Sequence, residues 1–157
     1  MDATEDIIAH QVNCKGVMGA GVAWCVKNRF PAAYRKYKAL CEEYEGRDEE
    51  LLGECQIVLC KKTDGTPAVI ANLFAQHRYG WKGIHTDERA FAEALSELAR
   101  KARRLKKKTI AMPYKIGCGL GGGNWDRIYK IIEKALDGFD VRLYKLEKRG
   151  DLNASSV

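Results

Sequence analysis

Short apolar runs rich in β-branched residues alternate with helix-like stripes along this chain of 157 residues. The alternation predicts an α/β fold, a three-layer α/β/α sandwich with a central sheet. The dipeptide Asp64-Gly65 is a hairpin signal between two of the runs, so one strand pair is antiparallel and the sheet is mixed. The predicted strands are residues 6–13, 55–60, 67–74, 109–113 and 140–146.

Four amphipathic stripes predict helices, and each has a recognisable start. The first follows a glycine-rich loop directly, and the second begins at Pro31, where the missing N–H costs nothing. Thr86 is the predicted cap of the third helix, with Asp87 and Glu88 in its first turn. Asn124 is the predicted cap of the fourth helix.

Length and composition favour one domain over residues 1–157, with residues of about 147–157 as a flexible tail. The acidic start "MDATEDIIAH" lacks the pattern of a signal peptide, and no window is apolar for the length of a membrane span. Six cysteines without CxxC spacing indicate reduced thiols rather than a metal site. We therefore expect a cytoplasmic monomer without metal, cofactor or membrane partner.

The net charge of +6 suits an anionic ligand. The basic run "RKARRLKKK" (100–108) has no interleaved aromatic residue that could stack on bases. We interpret it as the solvated end of a helix and do not expect nucleic acid as a partner, although a nucleic-acid-binding module remains an alternative.

Two glycine loops, Gly16–Ala23 and Gly117–Asn124, each follow a predicted strand and open a helix. Glycine allows positive φ, and a helix N-terminus attracts anions, so each loop predicts a phosphate cradle. Two cradles on one sheet edge suit a diphosphate; the alternative is that the glycines only form tight turns. No GxxxxGK[ST] motif is present. The GxGxxG match in the second loop has only one helix and one strand behind it, which argues against a dinucleotide fold.

Three segments together carry a family resemblance: "IIAHQVNCKGVMGAGVAWCVKNRFPAAYRKY", "ANLFAQHRYG" and "AMPYKIGCGLGGGNW". They resemble the macro domain family, which binds ADP-ribose, over about Ile7 to Leu146. The pattern is most similar to the branch with terminal ADP-ribose protein glycohydrolases, ADP-ribose 1''-phosphate phosphatases and phage-type members. The resemblance implies that both glycine loops enclose the diphosphate, the first also lying along the distal ribose.

The resemblance also implies a set of ligand-binding residues. Asn13 falls where the family's loop asparagine faces the distal ribose, and a turn-stabilising role is the alternative. Asp2 is the candidate against the adenine amino group, with Asp6 as the alternative, and Tyr144 borders the ribose or adenine unless it only packs. The full set is Asp2, Asn13, Gly19, Ala20, Gly21, Val22, Gln76, Arg78, Tyr79, Gly117, Cys118, Gly119, Leu120, Gly121, Gly122, Gly123, Asn124 and Tyr144.

Three residues are candidate catalysts. His10 is an acid–base candidate if its pKa is near neutral, and a packed strand histidine is the alternative. Asp87 is a candidate for orienting a water, or else a charge in the first turn of a helix. Asn13 is the third candidate, at the distal-ribose end.

Related glycohydrolases use a lysine after the middle strand and an aspartate directly after "GCGL". Here the aspartate position is Gly121, and Lys82 is the only lysine of the middle segment. The resemblance therefore favours a hydrolase of ADP-ribose derivatives such as the 1''-phosphate, in which water attacks and backbone N–H groups stabilise the charge. Removal of mono-ADP-ribose from protein or nucleic acid, and a non-catalytic ADP-ribose reader, remain alternatives.

Overall fold

Five strands form one mixed sheet in the computed structural model, which describes residues 3–62 and 64–145. The spatial order is β2-β3-β1-β4-β5. All neighbours are parallel except β2 and β3, which form the predicted antiparallel hairpin. The strands are β1 (Ile7–Asn13), β2 (Cys55–Lys61), β3 (Pro67–Gln76), β4 (Thr109–Pro113) and β5 (Asp140–Tyr144).

Four helices cover the two faces of this sheet, which confirms the predicted three-layer sandwich. The first pair lies on one face, and the second pair lies on the other. Pro31 occupies the first turn of its helix as predicted. The helices are α1 (Gly21–Arg29), α2 (Pro31–Glu43), α3 (Glu88–Arg104) and α4 (Trp125–Ala135).

The central strand β1 explains why its sequence is apolar almost throughout. Ile7 and Ala9 pack under α3 and α4, whereas Ile8 lies in the core beneath α1 and α2. Both faces of the strand are therefore buried, as expected for parallel strands between two helix layers. Because β1, β3 and β4 are parallel, their carboxyl ends reach the same edge of the sheet, where both glycine loops begin.

The predicted cap of α3 is wrong by one residue. Asp87, not Thr86, is the N-cap, and its carboxylate accepts a hydrogen bond of 2.9 Å from the N–H of Ala90. Thr86 turns its hydroxyl to the carbonyl of Gly117 instead. The predicted cap of α4 is confirmed, since the Asn124 side chain accepts from the N–H of Arg127 at 3.1 Å.

Two of the sequence predictions concern the chain as a whole. Among the described residues, no helix is both long and apolar enough to cross a membrane. The predicted tail (147–157) lies outside the described residues, and the assignment of one domain to residues 1–157 stays a prediction.

Asp87→Ala removes the cap of α3 and should lower the free energy of unfolding by about 1 kcal/mol. Asp87→Asn keeps a capping oxygen and is the matched control, so its stability should stay near that of the parent protein. Urea denaturation of the three proteins measures the difference. Equal losses in both variants would contradict a role of Asp87 as cap.

Candidate functional site

A cleft of about 540 Å³ opens at the carboxyl edge of the sheet, between the two glycine loops. Its floor is the end of β1, and its volume lies in the range of small-molecule sites. The residues that line it are His10, Gln11, Val12, Asn13, Val17, Gly19, Ala20, Gly21, Val22, Ala23, Gln76, Tyr79, Gly80, Trp81, Pro113, Tyr114, Lys115, Ile116, Gly117, Cys118, Gly119, Leu120 and Gly121.

Asn13 holds the first glycine loop in shape. Its side-chain oxygen accepts from the N–H groups of Lys15 (2.9 Å) and Val17 (3.3 Å) and from the hydroxyl of Tyr37 (2.9 Å). Its amide nitrogen donates to the carbonyl of Val17 at 2.7 Å. An asparagine amide has two N–H donors, so one remains for a ligand. Asn13 thus stabilises the turn, as the alternative prediction held, and one N–H of its amide remains for the predicted contact with the ribose.

A cluster of charged and polar side chains links the first glycine loop to the end of β3. Asp48 forms an ion pair with Lys15 and accepts from His77 Nε2 at 3.0 Å. The Lys15 ammonium lowers the pKa of Asp48. The N–H of Cys14 also donates to the carbonyl of Gln76 at 3.1 Å. The end of β3 and the first loop are therefore held together at one end of the cleft.

The N-terminus of α1 forms part of the cleft wall and is suited to an anion. Among the residues that the structure describes, no side chain caps it, and no acidic residue lies in its first turn. Gly21 has a φ of +56°, and a Cβ added there would meet no atom within 4 Å. The first N–H groups of a helix have no partner within it, so those of Gly21, Val22 and Ala23 present partial positive charge at the cleft.

The second glycine loop is fixed by Thr86 and Gln11, two residues that the sequence prediction did not select. The Thr86 hydroxyl donates to the carbonyl of Gly117 at 2.7 Å and accepts from the Gln11 amide at 2.9 Å. The same amide nitrogen donates to Gln76 Oε1 at 2.8 Å. The signal in the sequence was a glutamine within the apolar run of β1, close to its carboxyl end.

Gly121 has no room for a side chain. An added Cβ would overlap the Thr86 hydroxyl and lie 2.5 Å from the carbonyl oxygen of Gly117. Its own carbonyl accepts from the N–H groups of His85 (2.8 Å) and Thr86 (2.9 Å). This packing accounts for a glycine at position 121, where the resemblance to the glycohydrolase branch implies an aspartate.

His10 lies on the floor of the cleft but is held inside the sheet. Its side chain is buried, and Nε2 is 2.7 Å from Oδ1 of Asn72, whose amide donates to Gln56 at 2.9 Å. Burial lowers the pKa of His10 to about 4, so the ring is neutral at pH 7. The near-neutral pKa on which its predicted acid–base role depended is not found.

The other candidate side chains divide between the cleft and its surroundings. Asp87 caps α3 and is not among the residues that line the cleft. Its role in orienting a catalytic water stays a prediction. The Tyr144 hydroxyl contacts Glu5 at 2.9 Å. Burial raises the pKa of the Cys118 thiol, which keeps it protonated.

The structure brings most of the predicted ligand-binding residues together. The ones in the lining are Asn13, Gly19, Ala20, Gly21, Val22, Gln76, Tyr79, Gly117, Cys118, Gly119, Leu120 and Gly121. The ones outside it are Arg78, Gly122, Gly123, Asn124 and Tyr144. Asp2 lies outside the described residues.

The lining of the cleft contains no aspartate or glutamate among the residues that the structure describes. Its ionisable side chains are one lysine, one neutral histidine, one cysteine and two tyrosines. Lys82, the lysine of the middle segment, is exposed and outside the lining. Within residues 3–62 and 64–145, no cluster of His, Cys, Asp or Glu could hold a metal ion.

Comparison with known proteins places this cleft in context. A sequence model described as Macro domain matches residues 9–132. The DNA ADP-ribosyl glycohydrolase of Mycobacterium tuberculosis is 30% identical over 134 residues, which cover 85% of this chain and 35% of the relative. The chain therefore spans about a third of the length of that relative.

The second relative is of similar size to this chain. The ADP-ribose 1''-phosphate phosphatase of Meyerozyma guilliermondii is 25% identical over 150 residues, covering 84% of this chain and 85% of the relative. Among solved structures, the macrodomain of Mycobacterium tuberculosis DarG superposes with a TM-score of 0.73 at 24% identity. That match covers 94% of this chain and 92% of the other, and it supports the fold.

Gly121→Ala should lower the free energy of unfolding by about 1–3 kcal/mol, because its Cβ displaces Thr86 or the Gly117 carbonyl. Gly119→Ala is the matched control in the same loop, since an added Cβ there meets nothing within 4 Å. We expect it to stay within about 0.5 kcal/mol of the parent protein. Urea denaturation compares them, and equal stability of both variants would contradict the packing described for Gly121.

Proposed function

The chain belongs to the macro domain family, and on that premise we propose that its cleft binds ADP-ribose and derivatives and hydrolyses ADP-ribose 1''-phosphate. The sequence relationship to a phosphatase of that compound over most of both chains supports the choice of substrate. We further propose a cytoplasmic monomer of one domain, consistent with the six free cysteines.

The diphosphate is the group that the centre of the cleft suits best. The free N–H groups at the start of α1 form one wall, and the backbone of the second glycine loop forms the other. Open space at Gly21 lets an anion approach the backbone closely. In the orientation that the family implies, the distal ribose then lies at the β3 end, near Asn13, Gln76 and Tyr79, and the adenosine lies toward β4 and β5.

The absence of a carboxylate from the described lining is the observation that favours a phosphate ester as substrate. A carboxylate would repel the 1''-phosphate, whereas N–H donors and a lysine attract it. Hydrolysis of a phosphate ester passes through a loose transition state, in which positioning and charge stabilisation matter more than a strong base. Such a reaction needs neither an ionisable His10 nor an acid at Gly121.

The proposed step consumes one water. Its oxygen bonds to phosphorus, and the bond between phosphorus and the 1'' oxygen breaks. One proton of the water passes to the 1'' oxygen and the other stays on the phosphate, so the products are ADP-ribose and inorganic phosphate. Backbone N–H groups of the loops stabilise the negative charge on the phosphoryl oxygens.

Removal of ADP-ribose from a macromolecule is the second candidate function. It is favoured by the rim of the cleft, where Trp81 is 85% exposed and Tyr79 is 56% exposed, because such aromatic side chains suit a large attached group. ADP-ribosylated protein or nucleic acid would supply that group. Two observations weigh against a glycohydrolase mechanism that uses a lysine and an aspartate. Position 121 has no room for an aspartate side chain, and Lys82 lies outside the lining.

Gly21→Glu should weaken ADP-ribose binding about a hundredfold or more, because its side chain enters the space proposed for the diphosphate and adds like charge. Gly21→Ala carries the same backbone strain without the bulk or charge and is the matched control. Isothermal titration calorimetry measures both affinities. If Gly21→Glu binds as well as Gly21→Ala, the diphosphate does not occupy this wall.

Turnover is measured on three substrates: ADP-ribose 1''-phosphate, mono-ADP-ribosylated protein and ADP-ribosylated DNA. We expect inorganic phosphate from the first, at a rate that Gly21→Glu abolishes. Release of ADP-ribose from either macromolecule without phosphate release would favour the second function. Tight binding of ADP-ribose with no product from any substrate would identify a reader.

A further inference from the structure

We propose that the cleft has a second phosphate site at its β4–β5 end, formed by Lys115 and Lys145, for a phosphate monoester on the adenosine ribose. The favoured ligands would then be ADP-ribose derivatives phosphorylated at the 2' or 3' hydroxyl. The proposal rests on the proposed function, because it assumes that ADP-ribose lies in the cleft with its adenosine at this end.

Tyr114 is the fixed centre of the site. It follows β4 directly, lines the cleft, and donates its N–H to the carbonyl of Tyr144 at 2.8 Å. The ring of Trp125 packs edge-on against it, with centroids 5.1 Å apart and an interplanar angle of 65°. The ring of Tyr114 is therefore held both by the sheet and by α4.

Two ammonium groups lie around this ring. Lys145 Nζ is 5.1 Å and Lys115 Nζ is 5.7 Å from the ring centroid. Neither lysine pairs with a carboxylate within residues 3–62 and 64–145, whereas Lys15 pairs with Asp48 and Lys101 pairs with Glu97. Both ammonium groups place positive charge beside the Tyr114 ring, where it attracts an anion.

The nearby carboxylate of Glu5 does not neutralise these charges. Its side chain is 1% exposed, contacts the Tyr144 hydroxyl, and pairs with Arg142 at 3.2 Å. The acid is thus turned inward and already has a cationic partner. Lys115 therefore keeps its charge available in the lining of the cleft, and Lys145 keeps its charge beside the Tyr114 ring, just outside that lining.

The backbone of Lys115 is unusual for a lysine. Its φ is +57°, and among the described residues only Lys106 shares a positive φ without being glycine. Lys106 follows the end of α3, where the left-handed conformation is common. Lys115 instead lies in the turn after β4, closed by a 3.1 Å bond from the N–H of Ile116 to the carbonyl of Pro113. Glycine would relax this turn, so a lysine held there points to a function for its side chain.

The position of Tyr114 and Lys115 in the lining, with Lys145 beside the Tyr114 ring, identifies the phosphate. The proposed diphosphate lies at the start of α1, and the distal ribose lies toward β3. The opposite end therefore faces the adenosine ribose, whose 2' and 3' hydroxyls can carry a phosphate without changing the rest of ADP-ribose. A lysine ammonium suits a phosphate monoester, which carries about −1.5 to −2 charge at pH 7.

Calorimetry with ADP-ribose, ADP-ribose 2'-phosphate and ADP-ribose 3'-phosphate tests the proposal. We expect at least one phosphorylated form to bind about three- to tenfold more tightly than ADP-ribose at low salt, as two partly exposed ion pairs would give. The ratio of the two affinities should fall as KCl is raised, because salt screens exposed charges. The more tightly bound isomer identifies the hydroxyl.

Lys115→Gly removes the charge and relaxes the turn, so the variant should fold. Combined with Lys145→Met, it should reduce the affinity ratio to about one. Lys82→Met is the matched control, an exposed lysine outside the lining, and should leave the ratio unchanged.

Three results would overturn the proposal. The first is a ratio of one or less in the parent protein that binds ADP-ribose, which leaves the proposed function intact. The second is a ratio above one that the lysine substitutions leave unchanged. The third is failure of all three compounds to bind, which overturns the proposed function as well.

Discussion

The hydroxyl of Thr86 is the contact on which the cleft depends most. It joins the carbonyl of Gly117 to the amide of Gln11, and the adjacent N–H groups hold the carbonyl of Gly121. Gln11 also bonds Gln76 at the end of β3. The second glycine loop is thus bonded to the strands that carry the first loop, and a few partly buried hydrogen bonds set the distance between the two walls. Each bond is of modest strength, but a buried group that loses its partner is costly.

The fold was predictable from the sequence because its pattern has a simple cause. Strands buried on both faces must be apolar along their length, and helices on a sheet must carry an apolar stripe, so both kinds of element could be located to within a few residues. The cap of α3 was not predictable in the same way. Thr86 and Asp87 are both good caps, and the choice between them depends on the carbonyl of Gly117, which is 31 residues away along the chain.

The candidate site was predictable in its outline and not in its details. The glycine loops indicated an anion cradle, yet the sequence did not distinguish the glycine needed for open space, Gly21, from the one needed for packing, Gly121. The pKa of His10 depends on burial and on Asn72, and neither is visible in the residues beside it. The left-handed turn at Lys115 leaves no trace in composition, because lysine rarely adopts it.

The negative charge of the proposed ligand explains why the described lining of the cleft contains no carboxylate. A carboxylate acting as general base beside the start of α1 would weaken the attraction for a diphosphate. The backbone N–H groups of the loops stabilise the transition state only when the reacting phosphate lies within hydrogen-bond distance of them. A phosphate on the 1'' oxygen lies next to the first glycine loop in the proposed orientation, whereas a phosphate on the adenosine ribose lies at the far end, among lysines and away from that loop. Taken together, the two proposals describe one cleft that holds both groups and hydrolyses only the one at the β3 end.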